Sequence, residues 1–398
     1  MTTLSTLSTR DFLKKASLVA EHYGFIPLEA LEAADAHPNK RADAELPEIT
    51  EAIRKDPFGS IAVSLLEHCT AKNLIASRRK EPTLIYYAAQ RKRGTATAAQ
   101  HPVKFGLAVL GCSKSIGEAL IIKTSLAILE DLGINGSTVY LNSVGDRDSA
   151  ARFARELTTY LRRHIDDLPP QCQQALKRDA FEALEILTEK ELPLCETLPR
   201  PLHFLSEVSR RHLREVLEFL ELDGVSYAIE DKLVGHRDCY SQTLFEIRKP
   251  GEGDGKSETL VRGGRCDELV RKSFRSTIPV VGAVFEHDPG KKPDAPAKNR
   301  PKAPKFFLVQ LGFSAKLLSL TILESLRKAR IPVHQTINND SLRDQLEAAK
   351  TTKAPYLIIM GQREVLDKTV IVRNVHSQAQ EVVPIGVLTD YLKTSLRI

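Results

Sequence analysis

The stretch CYSQTLFEIRK (239–249), followed closely by SETLVRG (257–263), reads as a pair of strands. Upstream, STVYLNSVG (137–145) is an alternating strand, and VSYAIEDKLV (225–234) leads into the pair. Such runs of strands predict an antiparallel sheet with helices packed on it, an α+β layout. The helices are legible around them. Asp11 to Tyr23 is opened by Ser8 and Thr9. Ile116 to Leu132 reads as a strongly amphipathic helix stopped by Gly133. Asp148 to His164 ends before the Pro169–Pro170 break, and Leu202 to Leu222 is helical.

Further along, DPGKKPDAPAKNRPKAPK (288–305) holds five Pro, repeated Lys/Arg and almost nothing apolar. This composition cannot build a core, so residues 288–304 are expected to be an extended linker. It divides an N-terminal part, 1–287, from a tail, 305–398. The tail reads as alternating strand and helix. FFLVQLG (306–312), IPVHQTI (331–337) and APYLIIMG (354–361) are strands, and TVIVRNV with EVVPI is a strand pair. Ala315 to Ala329, Leu342 to Thr351 and Val387 to Leu396 are helices. That alternation predicts a mostly parallel, helix-covered α/β sheet.

The chain has 398 residues, 57 Lys+Arg and 51 Asp+Glu, a net charge of +6. From Asp288 onward there are 18 Lys/Arg against 10 Asp/Glu, so the tail and linker carry +8 and the rest −2. A basic tail suits a polyanion such as RNA; equally, it is a solubilising surface. Hydrophobic residues at 42% and charged residues at 27% exclude a disordered, collagenous or coiled-coil chain. No apolar run reaches the length of a membrane span, and the N-terminus lacks the apolar core of a secretory signal. The six Cys show no CxxC spacing, which predicts a reducing cytoplasm and no structural zinc. Trp is absent and aromatics are 6%, so RNA would be held by its phosphates rather than by stacking.

Several segments, in collinear order, resemble the histidyl-tRNA synthetase family of class II aminoacyl-tRNA synthetases. LVGHRDCYSQTLFEI (233–247) is similar to its Arg-Gly-Leu-Asp-Tyr-Tyr stretch running into Thr-x-Phe-Glu. RGGRCDELV (262–270) resembles its Gly-Gly-Arg-Tyr-Asp turn. KFGLAVLGCSKSIGEALIIKTSLAILEDLGI (104–134) resembles the second-motif strand and following helix. LNSVGDRDSAARFARELTTYLRRHIDDL (141–168) resembles a strand, Gly-Asp turn and helix of the family. DPFGSIAVSLLEHC (56–69) resembles its Arg-Pro-Glu-Gly-Thr segment, and the tail its anticodon-binding domain. The resemblance implies a six- to seven-stranded antiparallel sheet flanked by helices, a homodimer, and a tail that touches tRNA.

The family joins a carboxylate to the α-phosphate of ATP, which needs positioning and cations on the developing charge. Arg is suited because its planar fork grips both groups bidentately. Here the signature arginine position is Gly235, with Arg237 two residues on. The third-motif Gly-x-Glu-Arg is absent from IPVVGAVFEHDPGKK (278–292), which offers only Lys291 and Lys292. Arg91 matches the second-motif arginine, with Arg93 close by. Ala108 stands where the family has an acid for the substrate amine, Phe58 where it has a glutamate, and Cys239 and Cys266 where it has tyrosines. The resemblance thus implies a vestigial substrate and ATP pocket of Arg91, Arg93, Tyr240, Thr243, Glu246, Gly263, Gly264, Arg265 and Asp267, with no catalytic residue expected.

Each of these features has a plainer reading. Gly263–Gly264 is a retained ligand turn or simply a hairpin needing positive φ. Cys239 and Cys266 are a reactive pair or two small buried hydrophobes. His164, His236 and His287 have no ligand spacing. Arg78, Arg79, Lys80, Arg91, Lys92 and Arg93 form a phosphate patch or a solvated face; in the tail, Arg343, Lys350, Lys353 and Arg363 are the RNA candidates. The leading expectation is an inactive synthetase-like protein that binds tRNA, another RNA or a protein, with no cofactor. An active histidine–tRNA ligase, using ATP and Mg, is the alternative. A histidine sensor like the regulatory subunit of ATP phosphoribosyltransferase is the third.

Overall fold

The structure is a computed structural model. It describes residues 7–31, 49, 51–55, 57–71, 74–75, 81–90, 103–190, 192–236, 238–251, 257–287 and 304–395. The Pro/Lys-rich segment at 288–303 lies outside the described residues.

The larger sheet has eight strands: β1 (Ile26–Pro27), β2 (Thr83–Gln90), β3 (Val103–Leu110), β4 (Thr138–Gly145), β5 (Tyr227–Ile229), β6 (Ser241–Lys249), β7 (Glu258–Arg265) and β8 (Val280–His287). Their order is β1-β2-β3-β8-β7-β6-β4-β5. The six inner strands pair antiparallel. The two short edge strands, β1 and β5, pair parallel, which extends the expected antiparallel body at both ends. Side-chain alternation sorts the sheet into two faces. Phe105, Leu107, Phe245, Val261, Val281 and Phe285 point to one core. Ala108, Leu110, Leu244, Val280 and Val284 point to the other.

The helices before residue 288 are α1 (Thr9–His22), α2 (Glu51–Lys55), α3 (Pro57–Ala71), α4 (Ile116–Asp131), α5 (Arg147–Arg163), α6 (Pro170–Arg178), α7 (Ala180–Glu189), α8 (Glu207–Leu222) and α9 (Asp267–Phe274). The first face is covered by α1, α4 and α8; the second by α3, α5, α6, α7 and α9. Their starts follow from capping. The Ser8 hydroxyl accepts the Asp11 N–H to open α1. Asp146 accepts the Ser149 N–H to open α5 and also accepts the Ser206 hydroxyl at 2.5 Å; Ser206 in turn caps α8. One carboxylate therefore fixes two helix starts.

The helix α4 departs from its expected amphipathic form. It has almost no solvent face, and even Glu118, Thr124 and Ser125 are fully buried. The reason is the tail, which supplies its second wall. The tail comprises β9 (Phe306–Gln310), α10 (Phe313–Lys328), β10 (Val333–Gln335), α11 (Leu342–Thr352), β11 (Tyr356–Met360), α12 (Gln362–Asp367), β12 (Thr369–Asn374), β13 (Gln380–Pro384) and α13 (Leu388–Ser395). Its strand order is β10-β9-β11-β12-β13. The pairs around β9 are parallel and the last two are antiparallel, so the sheet is mixed rather than mostly parallel.

The apolar core of the first face continues without a break into Phe306, Leu308, Leu320, Leu323 and Leu326 of the tail. Charges surround this junction. Arg327 reaches Glu324, Glu130 and Asp131 at 2.8, 3.0 and 2.5 Å. The Tyr23 hydroxyl donates to Glu324, and Asp223 accepts from Thr321 while pairing with Lys123. Asp340 sits between Lys114 and Lys316. Among the described residues, no helix is long and apolar enough to cross a membrane.

Candidate active-site cleft

The second face of the sheet opens into a cleft of 750 Å³ bounded by α7, the loop at 230–236 and β6. Phe58, Phe181, Leu184, Leu233 and Val234 give it an apolar lining. Strand parity brings Glu246 and Arg248 to this face. The buried Glu246 carboxylate accepts Arg262 Nε at 2.8 Å, Arg248 Nε at 2.6 Å and the Thr259 hydroxyl at 3.3 Å. Arg248 also lies 3.5 Å from Glu230, with its guanidinium 4.3 Å over the Tyr140 ring. The guanidinium facing the cleft is thus already matched by two carboxylates.

Gly235 lines the same cleft, at φ +64°. A Cβ there would sit 3.1 Å from the Tyr240 ring. This left-handed position favours glycine, so an arginine would be strained as well as absent. Tyr240 lies beneath: its hydroxyl donates to the Phe58 carbonyl at 2.7 Å, and the two rings meet edge to face. Beside the cleft, the face is filled. Ala108 is fully buried and pairs with Gly282, where a Cβ would come within 2.7 Å of Leu65 from α3. Packed side chains occupy the place at which an amine-binding acid was expected.

Several expected pocket residues stand elsewhere. Arg265 and Gly263 share the parity of Val261 and project to the first face, away from the cleft. Arg265 is 1% exposed and bonds Glu118 of α4 at 2.9 and 2.6 Å and the Cys112 carbonyl at 2.8 Å. Burial raises the Glu118 carboxyl, but the Arg265 guanidinium and His212 outweigh it and hold it down at about 2. This is a structural ion pair, not a ligand turn. The Gly-Gly pair also has no positive φ. It sits mid-strand, where a Cβ on Gly263 would meet Phe245 at 2.5 Å and one on Gly264 the Thr243 carbonyl at 2.9 Å. Close packing, rather than a hairpin turn, requires both glycines.

Thr243 is fully buried in β6 and does not line the cleft. Asp267 opens α9 and accepts the Val280 N–H at 2.8 Å. Cys239 and Cys266 are both buried, and burial drives the Cys266 thiol well up, so it is inert. Among the described residues, no three His, Cys, Asp or Glu converge as a metal would need. Arg78, Arg79, Lys80, Arg91, Lys92, Arg93, Arg237, Lys291 and Lys292 lie outside the described residues.

In the tail, Arg343, Lys350, Lys353 and Arg363 are all exposed. Lys350 pairs with Glu347 and Arg363 with Asp367, each on its own helix. The wall supplied by α7 was not anticipated. Its signals were present: Pro170 at a helix start, Asp179 as the next cap, and Phe181, Leu184 and Leu187 at helical spacing.

Residues 305–395 match the family described as anticodon binding domain. The chain is 28% identical over 326 residues to the histidine–tRNA ligase 1 of Shouchella clausii (strain KSM-K16), covering 80% of this chain and 76% of that protein. A crystal structure of apo S. aureus histidyl-tRNA synthetase is similar over 84% of this chain and 82% of that one, with 22% identity and a TM-score of 0.45. A structure titled as an ATP phosphoribosyltransferase regulatory subunit/histidyl-tRNA synthetase from Bacillus halodurans C covers 91% of this chain and 97% of that one, with 15% identity and a TM-score of 0.42.

Proposed function

We propose that this chain, which is similar to histidine–tRNA ligases and matches the anticodon binding domain over residues 305–395, is a synthetase-like protein that no longer makes histidyl-adenylate and acts by binding RNA. One observation carries this reading: the charge of the cleft. Asp179, Glu182, Glu185, Glu189, Glu230 and Glu246 line it, against Lys232 and Arg248 among the described residues. A nucleotide triphosphate needs the reverse. Each charge-assisted hydrogen bond lost from such a site removes about 1.5–3 kcal/mol, and several together remove many orders of magnitude in rate. Gly235 and Ala108 agree with this, since a charged side chain at either would strain or overpack the fold, and Phe58 puts an apolar ring in the cleft lining.

In this reading residues 1–287 are the synthetase-like unit, 305–398 the RNA-binding unit and 288–304 their tether. No cofactor is required, and the protein works as a homodimer. The family's active form is the second reading, favoured by the 28% identity to a histidine–tRNA ligase; ATP and Mg would then serve the reaction. ATP–pyrophosphate exchange with histidine decides between them. We expect no exchange above background. Histidine-dependent exchange would sink the inactive reading, and a histidine-induced rise in Tm without exchange would favour a histidine sensor.

A further inference from the structure

The exposed side of α8 carries a charge pattern that helix stability does not explain. Ser209, Leu213, Val216 and Leu220 are buried, while Arg210, Arg211 and Arg214 stand exposed on the first half of the helix. Carboxylates suit a helix start and cations its end, where each complements the macrodipole. Here the arginines crowd the start, and the last turn has Glu221 and no basic residue. Arg210 and Arg214 are one turn apart, a like-charge spacing that weakens a helix. We infer that this half of α8 is a second phosphate-contact surface for RNA, beside the one on the tail; the inference rests on the reading of the chain as an RNA binder.

The arginines are not answered by the fold. Among the described residues, Arg210 and Arg211 make no ion pair, and Arg214 makes only a long one, 3.9 Å, to exposed Glu207. Glu215, one turn after Arg211, is turned away and accepts the Ser115 hydroxyl at 2.6 Å. His212 meets Glu118 at 2.6 Å.

Those two bonds also place the arginines. They hold the first half of α8 against the first turn of α4. Lys114, just before that turn, reaches the Asn338 carbonyl and Asp340 of the tail. Two residues after Asp340, α11 begins, with Arg343 in its first turn. The tail leaves this half of α8 uncovered. The helix α10 starts at Phe313, whose ring meets Phe219 at 5.5 Å, and runs on to Thr321 beside Asp223. The arginines thus border the domain matched to anticodon binding. An extended polyanion can span both surfaces, and the guanidinium fork suits its phosphates. Such contacts position a strand without reading its bases.

The test is an anisotropy titration of a histidine tRNA transcript with the full chain across a range of salt. Arg210→Gln/Arg211→Gln should weaken binding about tenfold and lower the slope of log K against log salt by about 2. Because both arginines oppose the helix dipole, the variant should keep or raise the wild-type Tm. Arg210→Lys/Arg211→Lys should restore the slope. Unchanged affinity and slope in the glutamine variant would overturn the inference, as would a lowered Tm accompanying the loss of binding, since the arginines would then be structural. Tighter binding of polyglutamate than of tRNA at matched ionic strength would replace the RNA with an acidic protein partner. Lack of salt-dependent tRNA binding by the wild type would sink the parent reading. Binding that falls in Arg343→Glu/Lys353→Glu but not in the glutamine variant would sink only the α8 surface.

Discussion

At the scale of single residues, the Arg265–Glu118 pair is the most consequential correction. A Gly-Gly-Arg run invites a ligand-binding reading, yet parity sends this guanidinium through the sheet to α4. The pattern was there to be read: Val261 is two places before Gly263 and four before Arg265, so the three share a face, and that face is the apolar one. What the sequence lacks is the partner, because Glu118 is 147 residues away. Removing one member of a buried pair strands the other charge. Glu118→Gln should cost about 3–5 kcal/mol in urea unfolding at neutral pH. The pH dependence has a definite sign. The Glu118 carboxyl is depressed in the folded chain, so its stabilisation is complete above its ordinary value near 4.5 and fades as pH falls toward about 2. The gap between wild type and variant should therefore close in acid. A gap that persists unchanged through that window would refute the pairing.

At the scale of elements, most helices and strands were legible because their caps and periods are local. Ser8 and Gly133 mark such boundaries without any knowledge of the fold, whereas the helix expected from Leu202 begins only at Glu207, after a short turn at Pro201–Phe204 and the Ser206 cap. Two features lay beyond the sequence expectations, for different reasons. The hairpin of α6 and α7 carries ordinary local signals, but it lies in a stretch that resembles nothing distinctive, and it supplies the acidic wall. The burial of α4 is different in kind. Its seventeen-residue neighbour α5 has a clean polar face, whereas α4 is packed from both sides, and its second side is covered by α10, nearly two hundred residues later. Arg327 is where this contact concentrates charge. It is 9% exposed and meets three carboxylates, two of them on α4. Arg327→Ala should lower stability by about 1.5–3 kcal/mol. If α10 were merely resting on α4, the variant would unfold at the wild-type urea midpoint.

At the scale of the whole molecule, the +6 net charge conceals two uses of the basic tail. Part of it faces inward: Lys316 meets Asp340, and Arg327 meets Glu130 and Asp131. The outward remainder includes Arg343 and Lys353, which are the exposed cations for an RNA contact. Deleting the tail would bare the apolar side of α4 and α8, so loss of tRNA binding on truncation would be hard to attribute. Point reversals are cleaner. Arg343→Glu/Lys353→Glu should weaken tRNA binding and reduce the slope of log K against log salt by about 1 for each phosphate contact removed. An unchanged slope would move the contact off α11. The charge division at residue 288 was visible in composition alone, but its division between docking and display required the fold.

The absence of a solvent face on α4 bears on how freely this chain can vary. A substitution on α4 must satisfy the larger sheet on one side and α10 on the other, and repair on one side does not relieve the other. The cleft face carries no such double demand. Charge along α7 faces the open cleft and disturbs no packing. The fold is thus anchored where it is read from both sides, and free to take up new chemistry where it is read from one.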